Sequence, residues 1–293
     1  MERELAAPLF IAEASSNHGR DLSRAKAFVD AAADAGCGAV KFQLFKIDRM
    51  FAPEILAKSP KHRARAEWEL PLSHLEPLAG HCRARNIRFS CTPFYLEAVA
   101  ELAPFVDFYK VASYELLVDD LLKACAHTGK PVVLSTGMAT LDEIQAAARC
   151  LRDAGARDVT LLHCVSAYPT PASEANLSAI ETIRAATGLP VGWSDHTRRP
   201  AVIERAVHHW DARVVEFHLD LDGKGAEYAA GHCWLPHEIA PVIARIRESL
   251  AADGAGFKGP QPSEISDREW RADPGDGMRP LKHVRLAYKG EAA

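Results

Sequence analysis

Eight times along this chain a short run of apolar and β-branched residues gives way to a segment of helical periodicity. That alternation constrains the fold more than any other feature, because it is the pattern of parallel βα units. The runs are residues 9–15 (LFIAEAS), 39–45 (AVKFQLF), 87–93 (IRFSCTP), 106–113 (VDFYKVAS), 131–137 (PVVLSTG), 159–166 (VTLLHCVS), 190–195 (PVGWSD) and 213–219 (RVVEFHL). Several lack strict alternation, as strands covered on both faces do. Helix punctuation lies between them. Thr140 with Glu143 makes a capping box, Gly36 and Gly188 are stop signals, and Ile239, Val242, Ile243, Ile246 and Leu250 form one apolar stripe. Eight such units in about 250 residues predict an α/β fold, a (β/α)8 TIM barrel. The barrel is expected over residues 1–253, with a Pro/Gly-rich tail, 254–293, that forms no separate domain. A doubly wound open sheet is the rival, but neither G-x-G-x-x-G after the first strand nor G-x-x-x-x-G-K-[ST] is present.

The charge balance narrows the partners. A formal net charge of -4 leaves no basic excess of the kind that binds nucleic acid. No apolar stretch is long enough to span a membrane and the first residues carry no leader pattern, so a cytoplasmic protein is expected. Seven scattered cysteines, none in a C-x-x-C pair, argue against a disulfide framework or a zinc ribbon. The polar stretch 46–70, with Lys46, Arg49, Lys58, Lys61, Arg63 and Arg65, suits either a basic flap over an anionic ligand or a solvated loop.

In a barrel of this type the active site is built at the carboxyl ends of the strands. Those ends carry Glu13, Asn17 and His18; Lys41 and Gln43; Thr92; Lys110, Ser113 and Glu115; Ser135 and Thr136; His163, Ser166 and Tyr168; Ser194, Asp195 and His196; Glu216 and His218. Each taken alone has a structural explanation, a hydrogen-bonded core histidine for example. Together they require a polar ligand, since buried polar groups without partners cost about 1–3 kcal/mol each. Lys41 and Lys110, with the hydroxyls of Thr92, Ser113, Ser135 and Ser194, suit a small phosphate plus a carboxylate. His196 and His218 end adjacent strands and predict one divalent ion, Mn2+ or Mg2+ rather than structural zinc. His208 and His209 fall on a helix face away from the mouth.

The ordered motifs IAEASSNH, AVKFQLFK, FSCTPF, YKVAS, VVLSTGMATLDEI, LLHCVSAYPTP and VGWSDHT closely resemble the sialic acid synthase (N-acetylneuraminate synthase) family over about residues 9–220. The resemblance implies a barrel enzyme that condenses phosphoenolpyruvate with an N-acetylated hexosamine aldehyde, giving a 3-deoxy-ulosonic acid and phosphate. It makes His196 and His218 the metal ligands. Lys41, Thr92, Lys110, Ser113, Ser135 and Ser194 become the phosphoenolpyruvate site, with Glu13 at the reacting centre. Ser166 and Tyr168 would face the acceptor, with Glu227 in the place of an acceptor-binding aspartate. Glu216 joins the catalytic set with Glu13, Lys41 and Lys110, and Asn17, Gln43, Glu115 and Asp195 the substrate-binding set. The chain departs from the family pattern at NHGR, Tyr114, Phe217 and GKGAEY, and the family's C-terminal antifreeze-like cap is expected to be absent. A homodimer, or a partner chain supplying a cap, would then complete the mouth. Three alternatives stay open: a synthase acting on an aldose phosphate, a Schiff-base aldolase using Lys41 or Lys110, and a non-catalytic sugar-binding or partner barrel.

Overall fold

The computed structural model describes residues 7–290. Eight strands form a closed barrel in sequential order. They are β1 (Leu9–Ser15), β2 (Ala39–Leu44), β3 (Arg88–Pro93), β4 (Phe108–Val111), β5 (Val132–Ser135), β6 (Val159–Cys164), β7 (Val191–Asp195) and β8 (Val214–His218). Every neighbouring pair is parallel, and β8 closes onto β1. The expected barrel is therefore observed, with each expected strand in place.

Helices cover the outside, from Leu22–Asp34 to Pro236–Asp253. Thr140 and Glu143 make the capping box that starts Leu141–Asp153, and Gly188 ends Ala179–Thr187 in the left-handed conformation. Ile239, Val242, Ile243 and Ile246 of Pro236–Asp253 are buried in the main core, between strands and helices. No helix among the described residues is long and apolar enough to cross a membrane. All seven cysteines are free thiols.

The lumen has its own smaller core of Ile11, Ala39, Phe108, Val133, Leu162 and Val214, with Leu9 packed against it. A strand repeats its face every second residue. Two positions further along, the same inward faces carry Glu13, Lys41, Lys110, Ser135, Cys164 and Glu216. The barrel is thus apolar at its amino end and polar at its carboxyl end, through one step of side-chain parity on six strands.

The polar stretch after β2 is built rather than loose. It contains short helices at Ile47–Met50, Pro53–Lys58 and Pro60–Arg63, the last capped by the Ser59 side chain. Much of its charge is occupied. Lys46 pairs with Glu101, Arg49 with Glu97, and Arg65 lies over the rings of Phe51 and Trp68. Residues 252–290 belong to a second, smaller compact unit. Within it are the short helix Lys282–Ala287, an Arg285–Asp276 ion pair and an edge contact between Trp270 and Tyr288.

Candidate active site

Two lysines and two glutamates occupy the carboxyl end of the lumen, all nearly inaccessible to solvent. Lys110 on β4 lies 3.4 Å from Glu216 on β8, so this ion pair spans the barrel rather than joining neighbouring strands. Lys41 pairs with Glu13, reaches Thr92 Oγ1 at 3.1 Å and stands 4.0 Å from Glu216. Ser194 donates to Glu216 Oε1 at 3.2 Å. Burial favours the neutral form of each group, and the network opposes it. For Glu216 the cations win: desolvation would raise its pKa, but Lys110, Lys41 and the nearby imidazoles hold it well below the usual carboxylate range. For Lys41 burial wins over the pull of Glu216 and brings the ammonium down to about 8.

Beside this network lies a set of hydroxyls at the ends of β4, β5 and β6. Ser113 Oγ accepts from the Gly137 amide at 2.9 Å and sits 3.2 Å from Cys164 Sγ. Gly137 has to be glycine, since a Cβ there would collide with Ser166 Oγ and Cys164 Sγ. The Ser135 and Ser166 hydroxyls are buried without a hydrogen-bond partner, as is one carboxylate oxygen of Glu115. Buried polar atoms are rarely left unpaired, so three such atoms at one mouth mark where a polar ligand is accommodated.

The ends of β7 and β8 hold the imidazoles. His196 Nδ1 donates to the Val165 carbonyl at 2.7 Å, which leaves the Nε2 lone pair free. Burial, with His218 nearby, pushes its pKa down to about 3, so the ring is neutral at ordinary pH. The His196 and His218 rings are 5.4 Å apart, and Tyr168 packs on His196 at 4.2 Å. His218 Nδ1 lies 3.0 Å from Glu227, which also accepts from Ser15 Oγ at 2.5 Å. Burial opposes the charge on Glu227, but hydrogen bonds from His218, His232 and Ser15 hold the carboxyl far below its ordinary range. Ligand atoms of His218, Glu227, His232 and Cys233 lie within 4.8 Å of one another. Imidazole nitrogens, a carboxylate and a thiol are a donor set fit for a divalent transition ion.

The sequence-derived residues separate by strand parity. Glu13, Lys41, Gln43, Thr92, Lys110, Ser135, Ser194, Glu216 and His218 meet at the mouth, with Ser113, Glu115, Ser166, Tyr168, His196 and Glu227 on the connections above it. Gln43 Nε2 is 3.4 Å from both Glu13 Oε1 and Ser15 Oγ. Asn17 Nδ2 reaches the Leu219 carbonyl at 3.4 Å, at the edge of the site. Asp195 goes elsewhere. It has the outward parity of Trp193, is fully buried, and accepts from the indoles of Trp193 and Trp234, from Thr197 and from the Arg198 amide. Its oxygens are taken by the protein, so it braces the wall instead of touching substrate. His163 and Thr136 also serve structure, bonding the carbonyls of Ala175 and Leu162. His18 lies beside Phe42, with Nδ1 accepting the Arg20 amide. His208 and His209 are exposed on the outer layer. Sequence reasoning passed over Ser15, His232 and Cys233. Ser15 ends β1 two residues after Glu13, a usable signal, whereas His232 and Cys233 lie in an irregular segment that has none.

Fold and mouth together define a (β/α)8 barrel with a charged, cation-competent centre at the carboxyl ends of its strands. Residues 28–258 match the model of the NeuB family, and the chain belongs to that family. It is 37% identical over 271 residues to the N,N'-diacetyllegionaminic acid synthase of Campylobacter jejuni, a match covering 87% of this chain and 80% of that protein. It is 30% identical over 252 residues to the N-acetylneuraminate-9-phosphate synthase of Drosophila melanogaster, covering 80% of this chain and 66% of that protein. The N-acetylneuraminic acid synthetase of Leptospira borgpetersenii, solved with citrate, superposes with a TM-score of 0.78 at 31% identity, over 92% of this chain and 93% of that one. A truncated 3-deoxy-D-arabino-heptulosonate 7-phosphate synthase from Thermotoga maritima, at 16% identity and a TM-score of 0.66 over 85% of this chain and 88% of that one, shares the fold.

Proposed function

We propose that the chain is a phosphoenolpyruvate-dependent synthase that makes a 3-deoxy-ulosonic acid of the nonulosonate type from phosphoenolpyruvate and an N-acetylated aldose, with release of phosphate. The observation that carries the reading is the meeting, in one mouth, of Lys41 and Lys110 with the unpartnered hydroxyl of Ser135, next to the imidazole–carboxylate cluster. Ammonium groups and hydroxyls are the donors that a phosphate and a carboxylate need. The synthases to which the chain is similar point the same way.

In this reaction C3 of the enol attacks the acceptor's aldehyde carbon, water adds at C2, and phosphate leaves with cleavage of its C–O bond. Lys41, Lys110, Thr92, Ser113, Ser135 and Ser194 hold the phosphate and carboxylate of the donor, and their ion pairs fix both ammonium groups in place before substrate arrives. Glu216 holds the Lys110 side chain at the centre through their 3.4 Å ion pair. Glu13, its Oε1 accepting the Ser15 amide at 2.6 Å, is placed to orient the water that adds at C2 or to take its proton. Tyr168, Ser166, Gln43, Asn17 and Glu115 form the acceptor side. A divalent ion, Mn2+ or Mg2+, held by His196 and His218 would supply Lewis acidity toward the aldehyde oxygen.

The test is phosphate release from phosphoenolpyruvate, in Mn2+, with a panel of N-acetylated aldoses and aldose phosphates. Release should require both the sugar and the metal and should cease with a chelator. No release with any aldose would end the reading, and an adduct trapped by borohydride would replace it with a Schiff-base aldolase.

A further inference from the structure

Where the chain departs from the family sequence, after β8, the structure brings two more metal-binding groups onto His218. The segment that carries His232 is locked to the end of β8: the Trp234 amide donates to the His218 carbonyl at 2.8 Å, and the Asp220 amide donates to the Trp234 carbonyl at 2.8 Å. Leu219 and Trp234 form a parallel bridge there. Gly231, at φ +99°, supplies the backbone turn that a side-chain-bearing residue resists. His232 is consequently buried, its ring 4.9 Å from that of His218 and its Nε2 3.8 Å from Glu227, while its Nδ1 has no partner. Glu227, on the short helix Ala226–Ala230, is turned onto His218 and His232. The His232 ring thus turns its Nε2 toward an ionised carboxylate beside a second imidazole, with ligand atoms of all three close enough to share one cation.

We propose that Glu227 and His232 extend the cation site of this chain beyond the His196–His218 pair, into a centre that holds a divalent transition ion through at least two imidazoles and one carboxylate in addition to His196. The proposal rests on the reading of the mouth as a cation-using site, not on any particular acceptor. More nitrogen donors shift preference away from Mg2+, which favours oxygen ligands and retains its water, toward Mn2+, Co2+ and Zn2+. Cys233, whose Sγ is 3.7 Å from Glu227, adds a soft neighbour on the same side.

The experiment measures Mn2+ binding to the chelator-stripped full chain, without substrate, by calorimetry and by the nitrogen couplings of bound Mn2+ in pulsed electron paramagnetic resonance. One ion per chain is expected, coupled to three imidazoles and bound at least about a hundredfold more tightly than Mg2+. His232→Ala should weaken Mn2+ at least about tenfold and remove one imidazole coupling, while His209→Ala binds as wild type does. Glu227→Gln should weaken it similarly. Circular dichroism of each metal-free variant checks the fold, and His232→Gln serves if His232→Ala does not fold. Wild-type Mn2+ affinity and couplings in the folded His232 variant would overturn the proposal, as would equal affinity for Mg2+ and Mn2+. A chain that binds Mn2+ as described and releases no phosphate fails only the function proposed above, and one that turns over with His232 dispensable for binding fails only this inference.

Discussion

Glu115 is the mouth residue whose charge state is most open to pH. One of its oxygens is buried without a partner, and burial pushes its pKa up to about 7 against the downward pull of Lys110. In the unfolded chain the group ionises near 4.5. Below that pH both states carry the proton and the residue is neutral to stability. Between there and about 7 the unfolded chain has lost a proton that the folded chain still holds, so stability falls as pH rises through this window and is level above it. Glu115→Gln removes the ionisation. Relative to wild type, the variant should therefore gain on the order of 1–3 kcal/mol between pH 4 and pH 8, read from urea unfolding at both pH values. Parallel behaviour of the two proteins across that range would mean that the carboxyl ionises normally in the fold.

At the scale of elements, Asp195 fastens three pieces of chain together. Its carboxylate takes the Trp193 indole of β7, Thr197 and the Arg198 amide of the following turn, and the Trp234 indole of the segment after β8. His196 and His232 lie on the turn and segment so fastened. Asp195→Ala leaves several buried donors without an acceptor, at about 1–3 kcal/mol for each that water cannot reach, so a loss of at least about 3 kcal/mol in urea unfolding is expected, together with weaker Mn2+ binding. A variant with unchanged stability and unchanged affinity would show that the clamp carries nothing. Asp195 also marks the limit of what the sequence makes legible. The eight strands are legible because continuous apolar runs bounded by turns have few other outcomes, and Glu13, Lys41, Lys110 and Glu216 because they sit at strand ends. Strand parity was the further signal available: counting by twos from Gly192 sends Ser194 inward and Asp195 outward, and would have sorted their roles. The helices at 53–58 and 60–63 carried a signal too, a proline at the first helical position and, for the second, a serine cap. No such rule reaches His232, whose place follows from backbone bonds to β8 that connect an aperiodic segment to a strand end.

For the whole molecule, what matters is where the imidazole cluster lies on the ring. A closed parallel barrel has no free edge, and its last seam here is β8 against β1, five residue pairs from Leu9↔Val214 to Glu13↔His218. The final pair of that seam joins a lumen carboxylate to the imidazole at the centre of the cluster. Glu227, in turn, accepts from Ser15 at the end of β1, so the cluster bridges both sides of the closure. An ion bound there is bound only by the closed barrel, because the unfolded chain scatters its ligands. Such linkage at a free ion concentration a hundred times the dissociation constant contributes about 2.7 kcal/mol. In a unit of this size, that corresponds to a rise in Tm of about 5–10 °C. Wild type in Mn2+ should therefore melt that much higher than wild type in chelator, with transitions followed at a strand and at a helix wavelength rising together. His218→Ala should melt at one temperature in both conditions. If saturating Mn2+ left the wild-type transition where the chelator puts it, the cluster would have no coupling to barrel closure, whatever its part in the reaction.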